Sequence, residues 1–157
     1  MNDEKKLKIY VDTSVIGGCL DDEFKNWSNK LLYEFKIGLY IPVISQITEA
    51  EISKAPKEVQ DILVELTGYQ YEIILETEES VELALRYIQE GILSKNFEDD
   101  ARHIAVATIN NVDLLVSWNF KHIVHFDKIR RFNSVNLREG YKPIEIYTPM
   151  EVVSYEL

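Results

Sequence analysis

The sequence predicts an α/β protein organised around a doubly wound sheet. Three observations carry this expectation. Five short apolar runs, at residues 6–11, 39–45, 71–75, 113–117 and 143–147, have the length and composition of strands. The segments between them space their apolar residues as helices do, and strands that alternate with helices require parallel crossovers that cover both sheet faces. No internal repeat, low-complexity tract or linker divides the 157 residues. One domain over 1–157 is therefore expected, long enough to bury roughly 70% of its unfolded surface.

The elements follow in order. Residues 6–11 alternate Lys with apolar residues and then turn continuously apolar, as a strand does on entering a covered sheet. Asp12-Thr13-Ser14 should form the turn at its end. Asp21 and Asp22 open a helical pattern with Phe24, Trp27, Leu31 and Phe35 on one stripe, and Gly38 sits where a stop is expected. Pro42 within the second run lacks a ladder donor, which predicts a short strand or one near an edge. Thr48-Glu49-Ala50-Glu51 has capping-box spacing and should start a short helix that Pro56 interrupts. Pro56 suits the first position of the next helix, with Val59, Ile62, Leu63 and Leu66 apolar and Gly68 at its end. After the third strand, Thr77 caps a helix with Val81, Ala84, Leu85, Ile88 and Ile92 on one face. A loop at 94–98 precedes a helix opened by Asp99 and Asp100 and ended by Asn110-Asn111. The fourth strand, a part-helical basic segment and the fifth strand follow, and Thr148-Pro149-Met150-Glu151 caps a last turn.

Composition narrows the functional classes. The single cysteine, Cys19, excludes an internal disulfide framework and suits a reducing compartment. The polar start, 1–6, is followed by no apolar signal region, and no apolar run approaches the roughly 18 residues of a membrane span. A cytoplasmic protein with no membrane partner is expected. Net charge is −10, which disfavours nucleic acid as a partner. The charge is uneven: residues 121–142 hold six basic residues (Lys121, Lys128, Arg130, Arg131, Arg138, Lys142) against two acids, Asp127 and Glu139. Such a segment is either an ordinary solvated face or a seat for a phosphate backbone.

Topology converts scattered acids into a site. In doubly wound sheets, ligands sit beyond the carboxyl ends of the strands. Asp12 ends strand one, Glu51 follows strand two, and Asp100 starts a helix feeding strand four. Ser117 and Asn119 follow strand four on the same side. All five should share one rim. Each acid alone has a plain structural explanation, as a turn residue, a capping residue or a partner of a helix dipole. Together, three carboxylates without a cation nearby in the sequence would repel, and a hard divalent metal with oxygen ligands resolves the conflict. Other chemistries have less support. Cys19 has no second cysteine, and His103, His122 and His125 show no zinc-ligand pairing. His103 is expected to be a packed or partly exposed helix residue. No Gly-rich phosphate loop and no Gly-x-Ser-x-Gly turn is present.

Four short motifs, in order, resemble those of PIN-domain nucleases of the VapC type, the toxins of bacterial toxin–antitoxin pairs. They are Val11-Asp12-Thr13-Ser14, Thr48-Glu49-Ala50-Glu51-Ile52, the run from Asp99-Asp100-Ala101 to Ala105-Val106-Ala107, and Leu115-Val116-Ser117-Trp118-Asn119 with the residues to Ile123. Thr148-Pro149-Met150-Glu151 is similar to a C-terminal feature of one prokaryotic branch. The resemblance implies a three-layer α/β/α sandwich with a central, mainly parallel five-stranded sheet. It implies Mg²⁺- or Mn²⁺-dependent hydrolysis of RNA by Asp12, Glu51 and Asp100 as metal ligands, with Ser117 and Asn119 completing the catalytic set. Many members carry an acid where this chain has Asn119, which keeps an oxygen ligand and loses a charge. Thr13, Ser14, Lys121, His122, Arg130 and Arg131 become candidate RNA contacts. An antitoxin partner and a homodimer are implied as well. The alternative is a PIN-like module that binds RNA or protein without useful catalysis.

Overall fold

In the computed structural model, which describes residues 6–154, five strands form one sheet in the order β3-β2-β1-β4-β5. They are β1 (Lys8–Val11), β2 (Ile41–Ser45), β3 (Glu72–Ile74), β4 (Leu114–Val116) and β5 (Ile146–Tyr147). Every pairing is parallel, with Ile9 opposite both Pro42 and Leu114. The N-terminal residues before Lys6, part of the charged start considered above, lie outside the described residues.

Side-chain alternation along the strands divides the core in two. Tyr10, Val43 and Leu115 point to one face, where Leu83, Tyr87, Ile104 and Phe132 pack. These come from α5 (Glu78–Gln89), α6 (Glu98–Ile109) and α7 (Phe126–Arg138). Ile9, Val11, Ile44, Leu114 and Val116 point to the other, against Val15, Leu31, Phe35 and Leu66. Those belong to α1 (Thr13–Gly18), α2 (Lys25–Lys36) and α4 (Lys57–Leu66). The remaining helices are α3 (Gln46–Ser53) and α8 (Pro149–Val152). This is the α/β/α sandwich expected, with a fully parallel sheet.

Asp12 ends β1 in a turn that caps α1, as its plain structural reading expects, with its carboxylate accepting from the Val15 N–H. Other local expectations are met or corrected. Pro42 lies in β2, a short strand next to the edge strand β3, as expected. The Ile41 N–H goes to the Leu7 carbonyl, so position 42 faces β3, and β3 begins only opposite Val43. The missing donor therefore falls just outside that ladder. Thr48 and Glu51 form no capping box: Ser45 caps α3 by accepting from Ile47, which moves Glu51 to the second turn. The 94–98 stretch is a 3₁₀ turn (Lys95–Phe97) running into α6. On α5 the inward face is Ser80, Leu83, Ala84 and Tyr87, and Val81 and Leu85 are exposed. Tyr87 sets that face by bonding Asn136 of α7 inside the core.

Candidate functional site

The carboxyl ends of β1, β2 and β4 deliver the expected residues to one rim, where hydrogen bonds form two networks, one through Asp12 and Asp100 and one around Glu51. Asp12 is 4% exposed. Its Oδ1 accepts from Ser14 Oγ at 2.6 Å and its Oδ2 from Ser117 Oγ at 2.8 Å. The Ser117 hydroxyl in turn accepts from the Asn119 N–H at 2.9 Å, and Asn119 Nδ2 reaches Asp100 Oδ2 at 3.3 Å. Across the rim, Glu51 Oε1 accepts from Thr13 Oγ1 and from His103 Nε2. Thr13, Ser14, Ser117 and Asn119 are thus directed at the acids and hold them in place.

His103 corrects the expectation that no cation stands near the acids. It is 2% exposed, with Nε2 2.8 Å from Glu51 and Nδ1 2.6 Å from the Tyr10 hydroxyl. Tyr10 is also 2.7 Å from Ser45 Oγ. Protonated, the imidazole donates on both sides, and the Tyr10 hydroxyl passes its own proton toward Ser45. Burial disfavours the charged ring, but the Tyr10 oxygen and the carboxylates of Glu51 and Asp12 outweigh it, so its pKa is raised. A signal for His103 was present: it lies three residues beyond Asp100 on one helix, and such residues share a face.

One cation does not satisfy three acids. Burial pushes the Asp12 carboxyl up, although His103 and the two serines oppose it. Burial, with the charges of Asp12 and Glu51, pushes Asp100 up to about 6. Glu51 resists its burial and stays below the usual range, because His103 and Thr13 bond it and Arg102 stands near. Asp12 and Asp100 are therefore held in an environment short of positive charge. Cys19 contributes nothing here: it is buried and its thiol is pushed up to about 12.

The donor set suits a hard, well-hydrated ion. All the candidate ligands are oxygens, and both bonds to Glu51 fall on Oε1 while the bond to Asp100 falls on Oδ2. Glu51 Oε2 and Asp100 Oδ1 are left for other partners. Among the described residues, no three His, Cys, Asp or Glu side chains close into a ready cage. Magnesium commonly binds without one, keeping several waters and taking one or two carboxylates plus substrate phosphate.

The candidate RNA contacts divide. Lys121 is exposed, and His122 stacks on Phe97 with ring centroids 3.8 Å apart. Burial and the nearby charges of Lys121 and Lys128 keep the His122 pKa low. Arg130 lies over the Phe126 ring, 5.4 Å from its centroid. Arg131 donates to the Glu90 carbonyl at the end of α5, where Arg138 pairs with the Glu90 carboxylate. Lys128 donates to the Ile92 carbonyl. The basic segment is thus not one stripe, since three of its cations are engaged by the chain after α5. Beside Glu51, an open groove is lined by Gln46, Lys54, Glu76, Asp99 and Arg102.

No protein-family description matches the sequence, and no curated protein does. Solved structures do match. A chain of VapBC2 from Rickettsia felis, solved bound to a DNA fragment from their promoter, aligns over 73% of this chain and 90% of its own, at 21% identity and TM-score 0.52. A chain of a toxin–antitoxin complex from Klebsiella pneumoniae aligns over 76% of this chain and 93% of its own, at 21% identity and TM-score 0.54. At that identity the likeness shows a shared fold.

Proposed function

We propose that the protein is a metal-dependent endoribonuclease and the toxin of a toxin–antitoxin pair. The observation that carries this reading is the convergence of Asp12, Glu51 and Asp100 on one rim, where Ser117 and Asn119 link Asp12 to Asp100 and the charges of Asp12 and Glu51 both bear on Asp100. The shared fold with two toxin–antitoxin structures supports the biological role and an antitoxin as partner, and a homodimer and a cytoplasmic location belong to the same proposal. No described helix is long and apolar enough to cross a membrane.

Asp12, Glu51 and Asp100 would hold Mg²⁺ or Mn²⁺. When bound, such an ion supplies an activated water and neutralises charge on the leaving oxygen of an in-line displacement. The chain's own residues do the rest. Ser14 and Ser117 fix both oxygens of Asp12. His103 and Thr13 keep Glu51 ionised and oriented. Asn119 positions Asp100 without adding a fourth charge, so a second ion would bind less firmly than the first. Lys121 and the groove residue Lys54 offer attraction to an RNA backbone across an otherwise acidic surface, whereas Arg102 pairs with Glu76 and Asp99.

Two observations favour a second reading, a PIN-like module without catalysis. Both Asp12 oxygens already accept hydrogen bonds, and no cage is closed among the described residues. Cleavage of RNA by the purified protein with Mn²⁺, and its loss in chelator and in Asp12→Asn, separates the two.

A further inference from the structure

Two groups of aromatic rings stand around Asn119 in the chain. Phe24 and Trp118 stack with centroids 4.3 Å apart, and Phe120 leans against both at 6.2 Å. Phe120 nevertheless stays 49% exposed. A separate stack joins Phe97, just before α6, to His122. Along the chain, these two stacks flank Asn119, the residue that reaches Asp100. Phe120 is its immediate neighbour, and His122 is tied to it by an N–H donated to Asn119 Oδ1 at 3.0 Å. Phe97 lies three residues before Asp100.

Partly exposed rings that flank Asn119 in the chain and stand next to Lys121 match the chemistry of a nucleobase stacking site. Every base has a π-face, such stacking tolerates sequence, and nearby cations hold the backbone. Resting on the ribonuclease reading above, we propose that Phe120 and the Phe97–His122 pair are positioning residues that stack the bases flanking the scissile phosphate. A base in a duplex has both faces covered by its neighbours, so this device requires unpaired nucleotides at the cleavage point. Beside its contacts with Phe24 and Trp118, Phe120 keeps about half of its surface open, and that open area is what a base would cover.

The test is steady-state cleavage, with Mn²⁺, of a short unpaired RNA and of copies carrying one abasic nucleotide at each position around the cleaved bond. Phe120→Leu should raise KM about tenfold, the scale of one lost base stack, and leave kcat nearly unchanged. Phe120→Trp should restore the wild-type KM. One abasic position should cost the wild type a similar factor and cost Phe120→Leu nothing further, because both changes remove one contact. Phe97→Leu should act likewise at a different position. Thermal melting of each variant identifies any that fail to fold, and Phe120→Trp then decides. A wild-type KM in folded Phe120→Leu, or abasic and Phe120→Leu losses that add, would overturn the stacking assignment alone. A wild-type protein that cleaves no RNA would overturn the reading beneath it.

Discussion

Replacing Asp100 by Asn should abolish cleavage and at the same time stabilise the metal-free protein at neutral pH. Asp100 is pushed from an ordinary 3.8 up to about 6, by burial first and then by the charges of Asp12 and Glu51. Between those values the folded protein holds more protons than the unfolded chain. Stability therefore falls as pH rises through that window, and the full penalty is present above it. Two units correspond to about 3 kcal/mol, which we reduce to about 1–2 kcal/mol because Asp100 is partly open to water and screened. Asn removes the charge and keeps an oxygen for the Asn119 amide. For a chain of this size, that gain raises Tm by roughly 3–6 °C. The assay is thermal unfolding in EDTA at pH 7.5 and at pH 4.5. The Asp100→Asn advantage should be clear at pH 7.5 and shrink at pH 4.5, where wild-type Asp100 is already largely protonated. An Asn variant no more stable than wild type at pH 7.5 would refute the claim that the acids strain the site.

Two further substitutions test its supports. His103→Gln removes the buried cation between Glu51 and Tyr10 and should destabilise the fold by about 2–3 kcal/mol in chemical denaturation. Because the histidine pKa is raised from 6.5 to about 10, that contribution is complete below the lower value and is lost as pH rises from there through the higher one, so the gap should narrow in alkali. Gly18→Ala tests the seat of the loop after β4. A Cβ there would stand 2.8 Å from Trp118 Nε1 and 2.7 Å from Ser28 Oγ, which are bonded to each other at 2.8 Å. Overpacking of about 1–3 kcal/mol and a red-shifted tryptophan emission are expected; unchanged emission would show that the loop does not depend on this fit.

The sheet was legible in the sequence because each strand is a short apolar run with turn chemistry after it, and parallel pairing follows from the alternation with helices. The same reasoning placed Asp12, Glu51, Asp100, Ser117 and Asn119 on one rim, since chain ends in such a sheet have only two sides to occupy. Local details were less legible. Ser45 outcompetes Thr48 as a cap because it stands at the strand end with extended backbone, and no spacing rule distinguishes them. Thr48 is left buried with its hydroxyl lacking a partner among the described residues. His103 was underestimated because a histidine amid the apolar side of α6 resembles core. Only the fold shows that Tyr10 and Glu51, from other elements, meet it there. The basic segment misled in the opposite way, since charge along the chain does not reveal that Arg131 and Arg138 turn to Glu90.

The central claim is that the acids on this rim hold a divalent ion that cleaves RNA. Its most direct test is the cleavage of an end-labelled unpaired RNA by purified wild type and Asp12→Asn, each with Mn²⁺ and with EDTA. Discrete products are expected from the wild type with Mn²⁺ and none in the other three reactions. Equal cleavage by Asp12→Asn, or cleavage that survives EDTA, would contradict it.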